Sequence, residues 1–482
     1  MNSTSPQPSS PRCAGPMKRR SFLEIGGLSV MGLGMSDFLR CQAQAKAGDP
    51  TFVDKDTSVI FVWLPGGLPH MEFYDLKPDA PAEYRGEFRP VKTNVPGIEV
   101  GELLPLHTKI ADKFALIRSI HHEFADHGGA HKRMMTGRLP KTPTGTINDA
   151  PAVSSIVKKV LGAGQKAMDI PICVSEVDGS RSGIDTFAMG SAWLGASNTP
   201  FMVAGDPSDP EFKVQNIGVK TEMETRIDDR LTMLEGLDRF RRSVDKSGAM
   251  EAMDSFNRQA MEMLMSERVR EAFDLSKEDQ KTRDRYGMTA YGQRALMARR
   301  LVEAGSRFVT VVWENPFPGK PVPKNCAYNW DCHAVNCHIF DDFKWRAPVY
   351  DLALTGLIED LHQRGLDKKV LLVVGSDFGH TPKINAQRGT QTGVMQPGRD
   401  HWPNSMSILV SGGGMPMGQV IGATNAKGEH PVERIMTPND LWATVYQHLG
   451  IDYNRYLTNL EGLPTQILPF GKPIPELAAG MA

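Results

Sequence analysis

Asn329-Trp330-Asp331-Cys332-His333 puts a carboxylate and an imidazole two positions apart, in a stretch too rich in Pro and Asn to be helix. Three other segments repeat the pairing: Ser376-Asp377-Phe378-Gly379-His380, Arg399-Asp400-His401-Trp402, and the run His121-His122-Glu123-Phe124-Ala125-Asp126-His127. Imidazole nitrogen and carboxylate oxygen form the ligand set of zinc, manganese or iron, and calcium draws on the carboxylates. The expectation is a divalent metal site assembled from four loops. Asp331, His333, Asp377, His380, Asp400 and His401 are its candidate ligands. Any one pair alone also fits a surface loop with a hydrogen-bonded histidine. It is the recurrence that points to a site.

His127 and His131 are four positions apart, so on a helix they share a face. His127-Gly128-Gly129 sits where a helix should begin, and exposed backbone N–H groups there favour an anion. A solvated polar helix end is the plainer alternative. An imidazole with its ordinary pKa near ~6.5 is substantially neutral and able to accept a proton. Neither a Gly-x-Ser-x-Gly elbow nor a His-Glu-x-x-His helix is present, which argues against two large hydrolase classes.

Such loops need a rigid frame. Ser58–Leu64 and Phe114–Ile120 are nearly continuous apolar runs, the pattern of strands buried on both faces. Pro171–Val174, Arg307–Trp313, Val370–Val374 and Met406–Val410 repeat it, with an amphipathic helix near Pro348–Gln363 and a closing helix over Asn439–Leu449. Alternating strands and helices predict an α/β fold with a mostly parallel central sheet and helices on both faces. Ligands bind such sheets beyond the carboxyl ends of the strands, where the His and Asp clusters fall. Pro65-Gly66-Gly67 and Gly412-Gly413-Gly414 read as turns rather than as complete phosphate-binding loops. Between about 205 and 304 the character changes to a helical insertion, with Leu231, Leu234, Leu237 and Phe240, then Met253, Phe256, Ala260 and Met263, at helical spacing. Its methionines suit core packing.

Residues 1–47 read as a leader. Lys18-Arg19-Arg20-Ser21-Phe22-Leu23 is a twin-arginine signature, followed by a short apolar run and small-residue cleavage sites near Ala43–Ala47. The expectation is export by the twin-arginine translocase to a periplasmic or extracellular location, with residues 48–482 as the mature domain and no permanent membrane span. Cleavage leaves Cys173, Cys326, Cys332 and Cys337, an even number that permits disulfides in three pairings. A net charge of −1 gives no reason to expect a nucleic acid partner.

The twin-arginine leader, Trp-Leu-Pro-Gly-Gly before His70, Asn-Trp-Asp-x-His and Gly-Arg-Asp-His-Trp-Pro resemble the domain-of-unknown-function 1501 family over nearly the whole mature chain. The resemblance extends to Gly422-Ala423-Thr424-Asn425, Pro431-Val432 and Tyr446-Gln447-His448-Leu449-Gly450. That family looks like a branch of the alkaline phosphatase and sulfatase superfamily, so an alkaline phosphatase-like fold and metal-dependent hydrolysis of sulfate or phosphate esters are what it implies. The substrate would be a small-molecule or polysaccharide ester, and the ion zinc, calcium or manganese. Thr136-Gly137-Arg138-Leu139-Pro140 resembles the end of the sulfatase nucleophile motif. Counting back along that motif assigns catalytic positions to His127 and His131, with His127 as base, nucleophile or ligand. The Asp that ends the first strand in that superfamily is missing here, and His70, Glu72 or Asp75 is expected in its place, His70 as a metal ligand. Because that nucleophile and that Asp are absent, a non-catalytic exported binding protein on the same fold is the second expectation.

Overall fold

The apolar runs form strands. The computed structural model describes residues 55–162, 170–177, 187–214 and 266–478. Its central sheet has eight strands: β1 (Ser58–Leu64), β2 (Phe114–Ile120), β3 (Cys173–Val177), β4 (Phe201–Ala204), β5 (Phe308–Val312), β6 (Val370–Ser376), β7 (Met406–Gly412) and β8 (Gln419–Ile421). Across the sheet they lie in the order β8-β2-β7-β6-β1-β5-β3-β4. Every residue of β1, β6 and β7 is buried, as continuous apolar runs in a doubly covered sheet should be.

All neighbours pair in parallel except β7, which is antiparallel to both β2 and β6. The cause is the connection. No helix lies between β6 and β7, only two-stranded pairings of short segments, and without a crossover the chain returns in the opposite direction.

Among the described residues, five helices of ten residues or more accompany the sheet: α1 (His127–Thr136), α2 (Val153–Gly162), α3 (Ala290–Ala304), α4 (Ile339–Gln363) and α5 (Pro438–His448). The two-residue period of β1 shows how both faces are covered. Ile60, Val62 and Leu64 join one apolar cluster with Leu296 and Leu301 of α3 and Leu354 and Leu357 of α4. Phe61 and Trp63 alternate with them and meet Trp442 of α5 and His131 of α1, with ring centroids 5.2 Å and 5.4 Å apart.

Three expectations change in detail. Helix α4 starts at Ile339 rather than near Pro348, because Pro348 lies on its exposed side where the freed carbonyl meets water. Strands β4 and β8, of four and three residues, are too short to stand out in the sequence. Within the segment expected as a helical insertion, residues 266–304 are helical, but α3 packs in the main core as part of the sheet's helical layer. The leader and the periodic run from Leu231 to Met263 lie outside the described residues. Arg455–Gln466 forms a separate small unit holding one antiparallel strand pair. Among the described residues no helix is long and apolar enough to cross a membrane.

Candidate metal centre

The parallel strands point their carboxyl ends to one edge of the sheet. Asp377 follows β6 directly, and the loop after β5 carries Asp331 and His333. From β2 the chain turns within seven residues into α1, which begins at His127. Antiparallel β7 starts at this edge instead of ending there, so Asp400 and His401 arrive just before a strand. For the same reason Gly412-Gly413-Gly414 lies at the opposite edge, where Gly413 N–H bonds the carbonyl of Val370. It is a turn remote from the cluster.

Three donor atoms converge in the first group. His333 Nε2 and His401 Nε2 each stand 3.0 Å from Asp331 Oδ1, and the two nitrogens are 2.9 Å apart. For metal–ligand bonds of about 2.0–2.2 Å, donors at right angles stand roughly 3 Å apart. The other nitrogen of each ring is already engaged. His333 Nδ1 donates to Asp400 Oδ1 at 2.7 Å, and His401 Nδ1 donates to the carbonyl of Ala125 at 2.7 Å. When neutral, both rings therefore present Nε2 lone pairs to each other and to a carboxylate, an arrangement that a cation satisfies. Asn385 Nδ2 holds the second oxygen of Asp400 at 2.5 Å, and the ring of Phe378 stacks on His401.

Asp377 organises the second group and is wholly buried. Its Oδ2 accepts from His127 Nδ1 and from His131 Nε2, both at 2.9 Å, and its Oδ1 accepts the Gly66 N–H at 2.9 Å. His122 Nε2 donates to its backbone carbonyl at 2.6 Å. His127 links the groups, since its Nε2 lies 3.7 Å from Asp331 Oδ2 and its ring centroid 4.6 Å from that of His401. One ligand atom each from His127, Asp331 and His401 falls within 4.8 Å, as does one each from His127, His131 and Asp377.

Charge follows geometry. Burial disfavours the charged form of Asp331, but hydrogen bonds from His127, His333 and His401 outweigh it and hold its carboxyl well below the usual range. Asp377 is held low against the same burial by the charges and hydrogen bonds of His131 and His127. Both are carboxylates at neutral pH, as ligation requires. Burial likewise works against a charged His127, yet Asp331 and Asp377 together raise its pKa to about 10. The neutral imidazole expected there is thus a protonated one when no cation occupies the carboxylates. His333 is also raised, by Asp331 and then Asp400 acting against burial.

Other expected residues are placed elsewhere. Asp400 reaches His333 from behind and orients it. His380 is buried with Nε2 donating to the carbonyls of Trp330 at 3.1 Å and Gly66 at 3.2 Å, so it joins neither group. His70 is equally buried, its Nδ1 receiving the His380 N–H at 3.4 Å. Glu72 pairs with Arg399 at 2.8 Å, and Asp75 with Lys77 and the Thr424 hydroxyl. None of His70, Glu72 and Asp75 takes the place of the missing Asp. The backbone N–H of Gly66 stands toward Asp377 instead, and the only sequence sign of it was the Pro-Gly-Gly turn. At the start of helix α1 the Gly129 N–H is already taken, because Asp126 caps the helix by accepting it at 2.9 Å. Cys332, Cys337 and Asp342 form a third, buried group, but Asp342 is committed to Arg346 through two contacts of 3.0 Å, and that guanidinium opposes a cation. All four described cysteines are free thiols.

A family model described as a protein of unknown function (DUF1501) matches residues 56–478. No curated protein matches the chain by sequence. Among solved structures, the PsFucS1 sulfatase from Pseudoalteromonas sp. is similar at 12% identity and a TM-score of 0.36, over 89% of this chain and 72% of that one. The lipoteichoic acid synthase LtaP from Listeria monocytogenes gives 11% and 0.38 over 86% and 78%. A variant of TAB5 alkaline phosphatase with Mg bound, from an Antarctic bacterium, gives 10% and 0.37 over 83% and 99%.

Proposed function

The chain belongs to the DUF1501 family, and from the centre it carries we propose that it is an exported metal-dependent hydrolase of sulfate or phosphate esters. One observation carries this reading: two imidazole Nε2 atoms and a carboxylate oxygen stand within 3.0 Å of one another, with both imidazoles braced from behind. A set dominated by imidazole suits zinc or manganese better than calcium, which prefers oxygen throughout. Asp331, His333 and His401 would hold the ion, with His127 or Asp377 beside them. When bound, a divalent ion supplies Lewis-acid polarisation of an ester oxygen and a lowered pKa for water.

The chain's own groups then divide the work by exposure. Asp377 and His131 are buried, whereas the side chains of His127, Asp331 and His333 are 20–26% accessible and meet the solvent side. Asp377 holds the Nδ1–H of His127, which directs Nε2 outward. Once the charge of Asp331 is engaged by a cation, that Nε2 can give up its proton and act as base or nucleophile at an ester centre. His131 and Gly66 keep Asp377 ionised and fixed. The sulfate or phosphate class is supported by the resemblance of Thr136–Pro140 to the sulfatase motif, which puts His127 at the position of attack. Export is supported by the twin-arginine leader.

The test is metal analysis of the purified full chain together with turnover of aryl sulfates and aryl phosphates before and after chelation. Stoichiometric metal, with turnover lost on chelation and restored by zinc or manganese, is the expected result. Protein that takes up no metal sinks the reading. Metal without turnover on any ester would favour a binding protein, a reading supported by the lack of any described Ser, Thr or Cys side chain hydrogen-bonded to either group.

A further inference from the structure

A cavity of about 440 Å³ adjoins the first group through Asp400, which lines the cavity and accepts the Nδ1–H of His333. Its volume lies within the usual range of small-molecule sites, about 300–1,000 Å³. We propose that it binds a neutral sugar ring of the substrate, an inference that rests on the hydrolase reading for its place beside the ester but not for the binding itself.

The chemistry of the lining selects the ligand. Trp402 is half-buried, its Nε1 donates to the carbonyl of Glu429 at 2.7 Å, and no other described ring packs on it. Its indole is therefore an oriented apolar face, of the kind that takes the C–H face of a ring. Asn385 gives Nδ2 to Asp400, and turning the amide over would set oxygen against carboxylate, so its orientation is fixed. That leaves Asn385 Oδ1 a buried acceptor with no hydrogen-bond partner, in a residue that lines the cavity beside Asp400 and Glu429, whose carboxylates are acceptors suited to hydroxyls. Two carboxylates, Asp400 and Glu429, against one ammonium, Lys383, disfavour a second anionic group. Too little of the wall is aliphatic for an acyl chain, with only Pro382 and Ile384. A ring with one apolar face and a hydroxyl-bearing edge fits all of these.

The walls are also braced. Arg399, wholly buried, donates to the carbonyls of Tyr84 at 2.7 Å and Thr381 at 2.9 Å and to that of Pro382, while Glu72 holds its Nε at 2.8 Å. A ring seated against Asn385 bears through Asp400 on His333, so recognition of the sugar is coupled to the orientation of a candidate ligand.

Neutral cello-, manno-, xylo- and galacto-tetraoses, offered to the zinc-loaded full chain in saturation-transfer NMR and titration calorimetry, test this. At least one should bind, about tenfold more weakly to Trp402→Ala and within about threefold of wild type to Trp402→Phe. Ile384→Trp adds bulk within the cavity and should abolish binding, which keeps the test valid if Trp402→Ala fails to fold. Absence of binding by wild type overturns the proposal, and so does binding unchanged in both Trp402→Ala and Ile384→Trp. These probes carry no ester. Binding without ester turnover therefore supports the subsite while counting against the hydrolase reading, and turnover without binding does the reverse.

Discussion

In the proposed mechanism His127 is the central residue, because among the described residues it alone touches both Asp331 and Asp377. His127→Asn keeps a polar side chain of similar reach while removing the basic nitrogen. Metal content should stay near wild type and turnover should fall by ~10²-fold or more. Loss of metal would make His127 a ligand, and unchanged turnover would remove it from the mechanism. Its pKa yields a second expectation. Raised to about 10 from an unfolded value near 6.5, His127 contributes stability to the protein without metal that is complete below about pH 6.5. That contribution disappears as pH rises through 10. Urea unfolding of the chelated protein between pH 7 and 10.5 should show the decline, and His127→Asn should abolish it. A flat profile in wild type would mean the two carboxylates do not hold the proton.

The turn after β1 is the element that lets the two groups meet. Gly66 has φ of +105°, and a Cβ there would come within 2.3 Å of Asp331 N and 2.7 Å of the Trp330 carbonyl carbon. Both atoms are backbone and cannot swing away. Gly66→Ala should therefore cost about 2 kcal/mol or more and displace the loop that carries Asp331 and His333. Thermal unfolding and metal analysis check this, with Gly97→Ala as the comparison. Gly97 also has positive φ, +86°, but nothing lies within 4 Å of its Cβ position, so that variant should lose some stability and no metal. Equal metal content in both variants would show that close approach at Gly66 is unimportant.

Metal and acid act on the molecule as a whole. An ion that binds only the folded chain should stabilise it by about 2.7 kcal/mol at a free concentration of 100 Kd. The rise in Tm with added zinc should be absent in Asp331→Asn. A rise that survives the substitution would place the ion elsewhere. Beneath the site, His70 and His380 are pushed down to about 3 and His122 to about 4, in each case chiefly by burial. They are neutral in the folded chain and protonate near pH 6.5 once it unfolds. Their contribution to folding stability should be complete above pH 6.5 and fall between there and about pH 4, by about 1.4 kcal/mol per pH unit for each proton taken up. Proton uptake on unfolding, followed by calorimetry at pH 5, measures that number. Uptake near zero would mean these rings are charged in the folded state.

Hydrophobic pattern alone marked six of the eight strands of the sheet. Ser58–Leu64, Phe114–Ile120 and Val370–Val374 are apolar without alternation, and only strands covered on both faces satisfy such runs. Asp and His beside the ends of those strands made the location of a candidate site legible, and the motifs around Asp331 and His401 made the family legible. Which ligand partners which was not legible, because it depends on strand direction and loop approach rather than on spacing. Asp331, His333 and His401 meet only because β7 returns antiparallel and brings the segment before it to the same edge. Asp377 draws in His127 and His131 because α1 begins directly after β2, and Gly66 completes it through a backbone N–H that carries no side-chain signature. His70 and His380 looked like ligands by type. Burial beneath the turns fixed one nitrogen of each ring on backbone groups, His70 Nδ1 on an N–H and His380 Nε2 on carbonyls.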